Sequence, residues 1–403
     1  VTDATIPADA VTLPPSIGWV GPAPAPPSAK VPLVDLGWQR DEVAAEVEVG
    51  FADVLARTAF VGGPHLAAFE EAFAAYCGVR ACVGVANGTD ALELALRARG
   101  LEPGAECILP ANTFVATAEA VVRAGGRPVL VDVDPASFLM DVQAAAAAVG
   151  ERTAAVIPVH LYGRMVDVTP LRTAAERHGA LVVEDAAQAH GARIGKPAEG
   201  ERRAGAVGDI AATSFYPGKN LGAYGDAGAV LTDDAELADR VRLLRSHGER
   251  QRYHHEVVGA NSRLDALQAV VLSAKLRRLD MWNGLRRAAA LRYDELLESA
   301  AGVVAPHHPA GEQHVWHLYV VRVPRTERDR VVAGLRSAGI EAAIHYPVPL
   351  HRTPALEAVG LGQPSGAFPH AERAAAEILS LPLFPGITAV QQERVVATLT
   401  DLL

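Results

Sequence analysis

Between residues 81 and 231, short apolar runs alternate with amphipathic stretches, and no other property of the chain constrains its fold as strongly. Residues 81–86, 107–109, 128–131, 154–159, 181–183, 210–215 and 229–231 read as strands. Segments 90–99, 117–124 and 171–178 between them carry apolar residues at helical spacing, as do 42–55 and 66–76 upstream. Strand–helix alternation of this kind predicts an α/β fold with a mostly parallel sheet covered by helices.

Near residue 240 the pattern changes. Segments 263–280 and 282–297 read as long, charge-rich helices, followed by a strand at 315–323, a helix at 327–338 and a strand at 343–346. The expected organisation is a large α/β domain over residues 31–280 and a smaller α+β C-terminal domain over 281–403. A chain of 403 residues has room for this, at about 100–200 residues per domain. Residues 1–30 read as a flexible, Pro-rich tail. Their uncharged stretch, 10–29, contains six prolines, which no spanning helix would carry together. The first basic residue is Lys30, so no positive segment precedes an apolar one as in a secretory leader, and no membrane association is expected.

The formal charge is −10, with 47 acidic against 37 basic residues, which argues against nucleic acid as a partner. An acidic protein that binds an anion must gather donors locally, through helix N-termini and a few basic side chains. Cys77, Cys82 and Cys107 have neither disulfide nor metal-ligand spacing. Cys82 and Cys107 sit in apolar runs and read as buried, inert thiols, which fits a reducing cytoplasm. No metal site is expected, and His254-His255-Glu256 reads as a polar loop.

Lys219 lies in Ser-Phe-Tyr-Pro-Gly-Lys-Asn-Leu-Gly, residues 214–222. A lone loop lysine is ordinarily a solvated charge. Here an apolar strand delivers the chain, and Gly218, Gly222, Gly225 and Gly228 allow close backbone approach to something bulky. Lysine forms Schiff bases with carbonyls when its surroundings neutralise the amine. The strand at 181–183 leads into Asp185, at the carboxyl edge where open α/β sheets bind ligands. Asp185 would serve equally as a helix N-cap, yet a carboxylate paired with a lysine is what pyridoxal phosphate (PLP) requires at its pyridine nitrogen. Gln188, three residues on, is placed to reach the ring's phenolic oxygen. Ala86-Asn87-Gly88-Thr89-Asp90 closes one strand and opens a helix, a seat for phosphate with Ser214 as a second ligand. Phe114 follows another strand end and is positioned to stack on a flat ring, although an aromatic there is more often core. No Gly-x-Gly-x-x-Gly follows the first strand, which removes a dinucleotide site.

These motifs resemble the DegT/StrS-type nucleotide-sugar aminotransferases, PLP enzymes of fold type I (aspartate-aminotransferase-like). The resemblance runs from about Val31 to the C-terminus. It is strongest at residues 183–191 (VEDAAQAHG), 214–228 (SFYPGKNLGAYGDAG) and 261–268 (NSRLDALQ). It implies that Lys219 is the Schiff-base lysine and proton shuttle, Asp185 the pyridinium partner and Gln188 the residue near the ring oxygen. It further implies that Gly88, Thr89 and Ser214 hold the phosphate, that Phe114 stacks on the ring, and that Asn261 reaches the cofactor phosphate of a neighbouring subunit in a homodimer. The implied reaction runs in two halves, with PLP converted to pyridoxamine phosphate (PMP) by glutamate and then aminating a dTDP- or UDP-linked keto sugar. Residues 214–222 and 253–282 look most like aminases of the 3-keto position of dTDP-6-deoxyhexoses, with 4-keto amination as the alternative. The composition resembles that of proteins of antibiotic sugar pathways. Tyr216, Arg250, His345, Tyr346 and His351 are candidate substrate contacts, and the loop at 60–64 is a candidate mouth. Sugar dehydratases of this family replace the lysine with histidine, so Lys219 argues against that activity. A regulatory protein that keeps the fold without catalysis is the rival from another class.

Overall fold

The computed structural model describes residues 30–195, 200–307 and 313–403. The expected tail lies outside the described residues apart from Lys30. Two helices come first, α1 (Leu36–Arg57) and α2 (Pro64–Cys77). Asp35 caps α1 by accepting from Trp38 N, and Pro64 opens α2 where a missing N–H costs nothing.

The strands that follow are β1 (Ala81–Val85), β2 (Glu106–Pro110), β3 (Arg127–Val131), β4 (Thr153–Val156) and β5 (Leu181–Asp185), then the two-residue pair β6 (Arg193–Ile194) and β7 (Arg202–Arg203), and finally β8 (Ile210–Ser214) and β9 (Gly228–Thr232). Seven of them form one sheet in the order β1-β9-β8-β5-β4-β2-β3. All neighbours from β8 to β3 run parallel, and only β9 is reversed, pairing antiparallel with β1 and β8. The carboxyl ends of the other six strands therefore share one edge with the start of β9.

Helices α3 (Gly88–Arg99), α4 (Ala116–Arg123), α5 (Val142–Ala148), α6 (Thr169–His178) and α7 (Ala235–Arg245) connect the strands. Alternate strand residues go to opposite layers. Val83, Val183, Ala212 and Val230 pack with Leu94, Val121 and Val241 of α3, α4 and α7. Cys82, Ala211, Ala229 and Leu231 pack with Phe69 and Phe73 of α2 and with Leu272 of α8 (Ala266–Leu276). All three cysteines are free and buried, and burial pushes their thiols up, Cys107 to about 12.

An exposed hairpin, β10 (Glu249–Gln251) with β11 (His254–His255), stands where a polar loop was expected. The helix expected at 263–280 starts only at α8, because Leu264 inserts into the core while its neighbours Arg263 and Asp265 face out. Next come α9 (Leu279–Leu297), β12 (Tyr319–Arg322), α10 (Arg328–Ser337), α11 (Pro354–Ala358), α12 (Pro369–Glu377), β13 (Ile378–Leu381) and α13 (Ala389–Asp401). β12 pairs antiparallel with β13, and both pack with α10 and α13. Strand 315–323 begins four residues late because Trp316 adopts a left-handed φ of 49°, while Val315 N is drawn to Gly163 O. Segment 343–346 is not a strand. Ala343 alone bridges to Ser380, after which the chain turns so that His345 Nδ1 meets Ser380 Oγ at 2.8 Å.

Val31–Leu403 form one compact unit. The boundary expected after residue 280 falls inside α9. Trp282 packs with α1 and α8, whereas Ala290, Tyr293 and Leu297 pack with β12, β13 and α13. Val31 also joins that C-terminal cluster, its N–H donating to Gly339 O.

Candidate active site

Three strand ends build the site at the carboxyl edge of the sheet. At the first, β1 runs into α3. Asn87 caps the helix through its side-chain oxygen, which accepts from Asp90 N at 2.8 Å. The Gly88 and Thr89 N–H groups begin the helix and have no acceptor within it. The register places Val85 and Ser214 on either side of Gly228, so β9 carries Ser214 up to this turn. The approach is close: a Cβ on Gly88 would stand 2.5 Å from Ser214 Cβ, and one on Gly228 would stand 2.4 Å from Asn87 O. Backbone cannot yield to such a contact. Gly228→Ala is therefore expected to push the Asn87–Gly88 peptide out of place and cost about 1–3 kcal/mol of stability. Phosphate-dependent binding of PLP, titrated by absorbance, should weaken at least about tenfold.

At the second strand end, β5 delivers Asp185, buried at 6 % exposure. Its Oδ2 accepts from Thr117 Oγ1 at 2.8 Å and its Oδ1 from Ala187 N at 3.2 Å. Thr117 sits in the first turn of α4 beside Thr113, their hydroxyls 2.7 Å apart. Burial raises the Asp185 pKa, and the hydrogen bonds, with the Lys219 charge, only partly oppose that rise. The neighbouring Glu184 points to the opposite face, where it accepts from Gly205 N, Val207 N, Gly208 N and His160 Nε2.

At the third, the connection from β8 to β9 carries Lys219. Lys219 N donates to Tyr216 O, and Ala223 N to Phe215 O, which fold the connection tightly. Desolvation lowers the Lys219 amine to about 8, against the pull of the Asp185 charge. The two groups thus stand close enough for each one's charge to act on the other, each disfavoured in its charged form by burial and favoured by its neighbour.

Gln188 and Tyr346 belong to the same neighbourhood. Gln188 Oε1 accepts from Tyr162 N at 2.6 Å, and its Nε2 donates to Tyr346 OH at 3.1 Å. Burial, then the Asp185 charge, pushes the Tyr346 hydroxyl up. Phe114 is 55 % exposed, not core, and its ring lies 5.7 Å from that of Tyr346. His345 also belongs to it, and burial followed by the Lys219 charge lowers its imidazole to about 4. Tyr216 is exposed three residues before Lys219.

The remaining candidates lie elsewhere in the chain. Asn261 is exposed just before α8, bridged to Ser246. Arg250 is exposed on the β10–β11 hairpin and faces Glu256. His351 is not open to a substrate as expected: its side chain is 0 % exposed, hydrogen-bonded to Glu372 at 3.0 Å and packed on Phe368. Sequence reading missed Thr117 and Tyr162. A threonine four residues after Thr113 at a helix start was the available signal for the first; the second depends on contacts across the fold.

Lys275 was also missed. It is 2 % exposed on α8, its ammonium donates to Gly222 O at 2.7 Å beneath the lysine loop, and burial lowers it to about 8. The unfolded chain binds this proton up to about pH 10.4. Between about pH 8 and that value the unfolded state binds more protons, so this group makes stability rise with pH. The buried thiols act with the opposite sign. Comparing the parent with Lys275→Met cancels them, and thermal melts of the cofactor-free proteins should diverge in favour of the parent as pH rises from 8 to 10.

Among the described residues, no group of three or more His, Cys, Asp or Glu side chains could hold a metal ion. None of the described helices is long and apolar enough to cross a membrane.

The profile of the DegT/DnrJ/EryC1/StrS aminotransferase family matches residues 42–400. A dTDP-3-amino-3,4,6-trideoxy-alpha-D-glucose transaminase of Streptomyces venezuelae is 46% identical over 367 residues, covering 91% of this chain and 94% of the relative. A protein named pleiotropic regulatory protein, from Geobacillus stearothermophilus, is 44% identical, covering 92% of this chain and 98% of its own. The crystal structure of S. venezuelae DesV in complex with a ketimine intermediate superposes with a TM-score of 0.87 at 45% identity, covering 93% of this chain and 98% of that one. The nearly complete match, together with the shared fold, places this chain in the DegT/DnrJ/EryC1/StrS aminotransferase family.

Proposed function

We propose that this protein is a PLP-dependent aminotransferase that moves an amino group from glutamate to the 3-keto carbon of a dTDP-linked 6-deoxyhexose. One observation carries the reading: a lysine and a buried carboxylate, Lys219 and Asp185, come together at the carboxyl edge of the sheet, close enough for each one's charge to act on the other. The donor set fits the cofactor. Asp185 is a buried acid raised in the absence of a cation, and a protonated ring nitrogen is such a cation. Free helix N–H groups beside the Ser214 hydroxyl suit a phosphate, and the exposed Phe114 face suits a flat ring.

When bound, PLP supplies a carbonyl for the lysine amine and an electron-poor ring that drains charge from the substrate carbon. The protein's residues do the rest. Lys219 Nζ, neutral in a good fraction of molecules near pH 8, is the nucleophile. Freed by the donor, the same amine moves the proton at the substrate carbon as general base and then acid. Asp185 holds the ring nitrogen's proton, and the Thr117 hydroxyl fixes the carboxylate in position for it. Gly88, Thr89 and Ser214 would hold the phosphate, and Phe114 would cover the ring. Gln188, held by Tyr162 and Tyr346, would meet the ring oxygen. Tyr216, His345 and Tyr346 border the sugar.

Asn261, exposed on one chain, serves the site of a second copy, so the working unit is a homodimer; Arg250 meets the nucleotide sugar, and the protein works in the cytoplasm. The 3-keto position is supported by the activity named for the S. venezuelae transaminase, matched over nearly its whole length. The larger cofactor-binding part spans residues 31–280 and the smaller part 281–403.

A regulatory reading has one observation in its favour, the name of the G. stearothermophilus relative. The pairing of Lys219 with Asp185 is what amino transfer requires, which favours the enzyme. The test is the visible spectrum of the protein with PLP before and after glutamate. A yellow band that fades on addition supports an aminotransferase, and product analysis with dTDP-3-keto and dTDP-4-keto sugars then assigns the carbon. Failure to bind PLP overturns the proposal, and a persistent yellow band excludes glutamate as donor.

A further inference from the structure

Asn220 follows Lys219 directly, yet nothing above assigns it a task. Its side chain is 1 % exposed and lies among polar partners from two separate parts of the chain. Its Nδ2 donates to Val315 O and to Asn283 Oδ1, both at 2.9 Å. Asn283, on α9, donates in turn from its own Nδ2 to His190 O at 2.8 Å. Asn220 Oδ1 lies 3.2 Å from His317 Nδ1.

The two backbone carbonyls settle the direction of every bond in this chain. A carbonyl can only accept, so the Asn220 atom facing Val315 O is the amide nitrogen, and the Asn283 atom facing His190 O is its nitrogen. Both amides are thereby oriented. The oxygen of Asn220 then faces His317, and an amide oxygen is also only an acceptor. His317 Nδ1 must carry the hydrogen, which leaves Nε2 as the ring's acceptor in the neutral form.

We propose that Asn220 is a positioning residue for Lys219. It ties the reacting lysine's backbone to α9 and to the Val315–His317 segment, and it locks His317 in the neutral Nδ1–H tautomer. Because Val315 N also donates to Gly163 O, the same tie reaches the neighbour of Tyr162, whose N–H holds Gln188. One buried chain of amides thus connects the lysine loop, the end of β5 and the C-terminal portion of the fold. Burial, then the Lys219 charge, keeps His317 far below the usual histidine range, consistent with a ring that never carries a second proton beside the amine.

Two measurements test this, and only the second rests on the function proposed above. In cofactor-free protein labelled with 15N-histidine, His317, identified by loss of its signal in His317→Gln, should be the Nδ1–H tautomer at neutral pH. An Nε2–H tautomer or a charged ring overturns the proposal without touching the assignment of Lys219. In the transaminase reaction, Asn220→Ala should lower kcat by about tenfold to a hundredfold, the effect of a small misplacement of a reacting group. KM for the acceptor should stay within about twofold. His317→Gln, whose amide still donates to Asn220, should keep most of the activity that His317→Leu loses. Parent-like kcat in a folded Asn220→Ala protein, or equal losses in the two His317 variants, overturns the positioning role. Should Asn220→Ala fail to fold, the tautomer in the parent protein still decides.

Discussion

Lys219→Ala is expected to lower transamination by at least about 10³–10⁴-fold, because it removes both the nucleophile and the group that moves the proton. The loss should fall on kcat and not on folding. Lys219 is only partly buried, and its own N–H, which donates to Tyr216 O, is a backbone group that alanine retains. Lys219→Arg should be equally inactive, since guanidinium does not give up its proton near neutral pH. In the parent protein the rate of PLP capture should rise as pH passes through about 8, where the amine becomes neutral, and this dependence should vanish in both variants. Stopped-flow absorbance measures the capture, and a coupled assay the turnover. Turnover of Lys219→Ala within about tenfold of the parent would falsify the mechanism.

Asp185→Asn carries the second large effect. The amide keeps the shape of the site, its oxygen accepting from Ala187 N while its NH2 donates to the Thr117 hydroxyl, but it presents no charge to a ring nitrogen. A loss of about 10²–10³-fold in kcat is expected, the scale of removing one preorganised electrostatic partner. Stability should move the other way in the cofactor-free protein. The folded-state pKa of Asp185 is raised by burial, so the folded state holds this proton to higher pH than the unfolded state does. Stability from this group is therefore lost as pH rises through that window, and at neutral pH its charge is a net cost. Asp185→Asn should melt higher than the parent without cofactor at pH 7, and the gain in Tm on adding PLP should be larger for the parent. A lower melting point for the cofactor-free variant would show that the buried carboxylate is already well compensated.

How far the primary structure revealed this site depended on whether a residue's task is local. Lys219, Asp185 and the Asn87–Thr89 turn stand at strand ends, and a strand end shows in the sequence as the point where an apolar run meets glycine or a carboxylate. The sheet strands were legible for the same reason. The reversal of β9 was not: strand direction depends on where the 215–227 connection returns, and hydrophobicity does not record that. His351 looks like an exposed basic residue in His-Tyr-Pro-Val-Pro-Leu-His, and only the packing of α12 shows that Glu372 claims it. Trp316 delays the start of the expected strand at 315–323 through a backbone angle that no apolar pattern reports. Thr117 and Asn220 act through partners 68 and 63–97 residues away, a separation beyond the reach of local periodicity.

The reversed strand also decides when, during synthesis, this chain can first hold its cofactor. β1 is an edge strand whose one sheet neighbour is β9, although β9 leaves the ribosome after every other strand of the sheet. A nascent chain halted at residue 227 already contains Asn87, Asp185 and Lys219, yet nothing fastens β1 beside β8, and the turn that seats the phosphate has no fixed position. Such a chain exposes open edges on β1 and β8 together, a template for association with other unfinished chains. Free PLP therefore cannot shepherd the early part of folding; it rewards only chains that have completed β9. The few residues of that strand are what first give the growing polypeptide a seat for the phosphate.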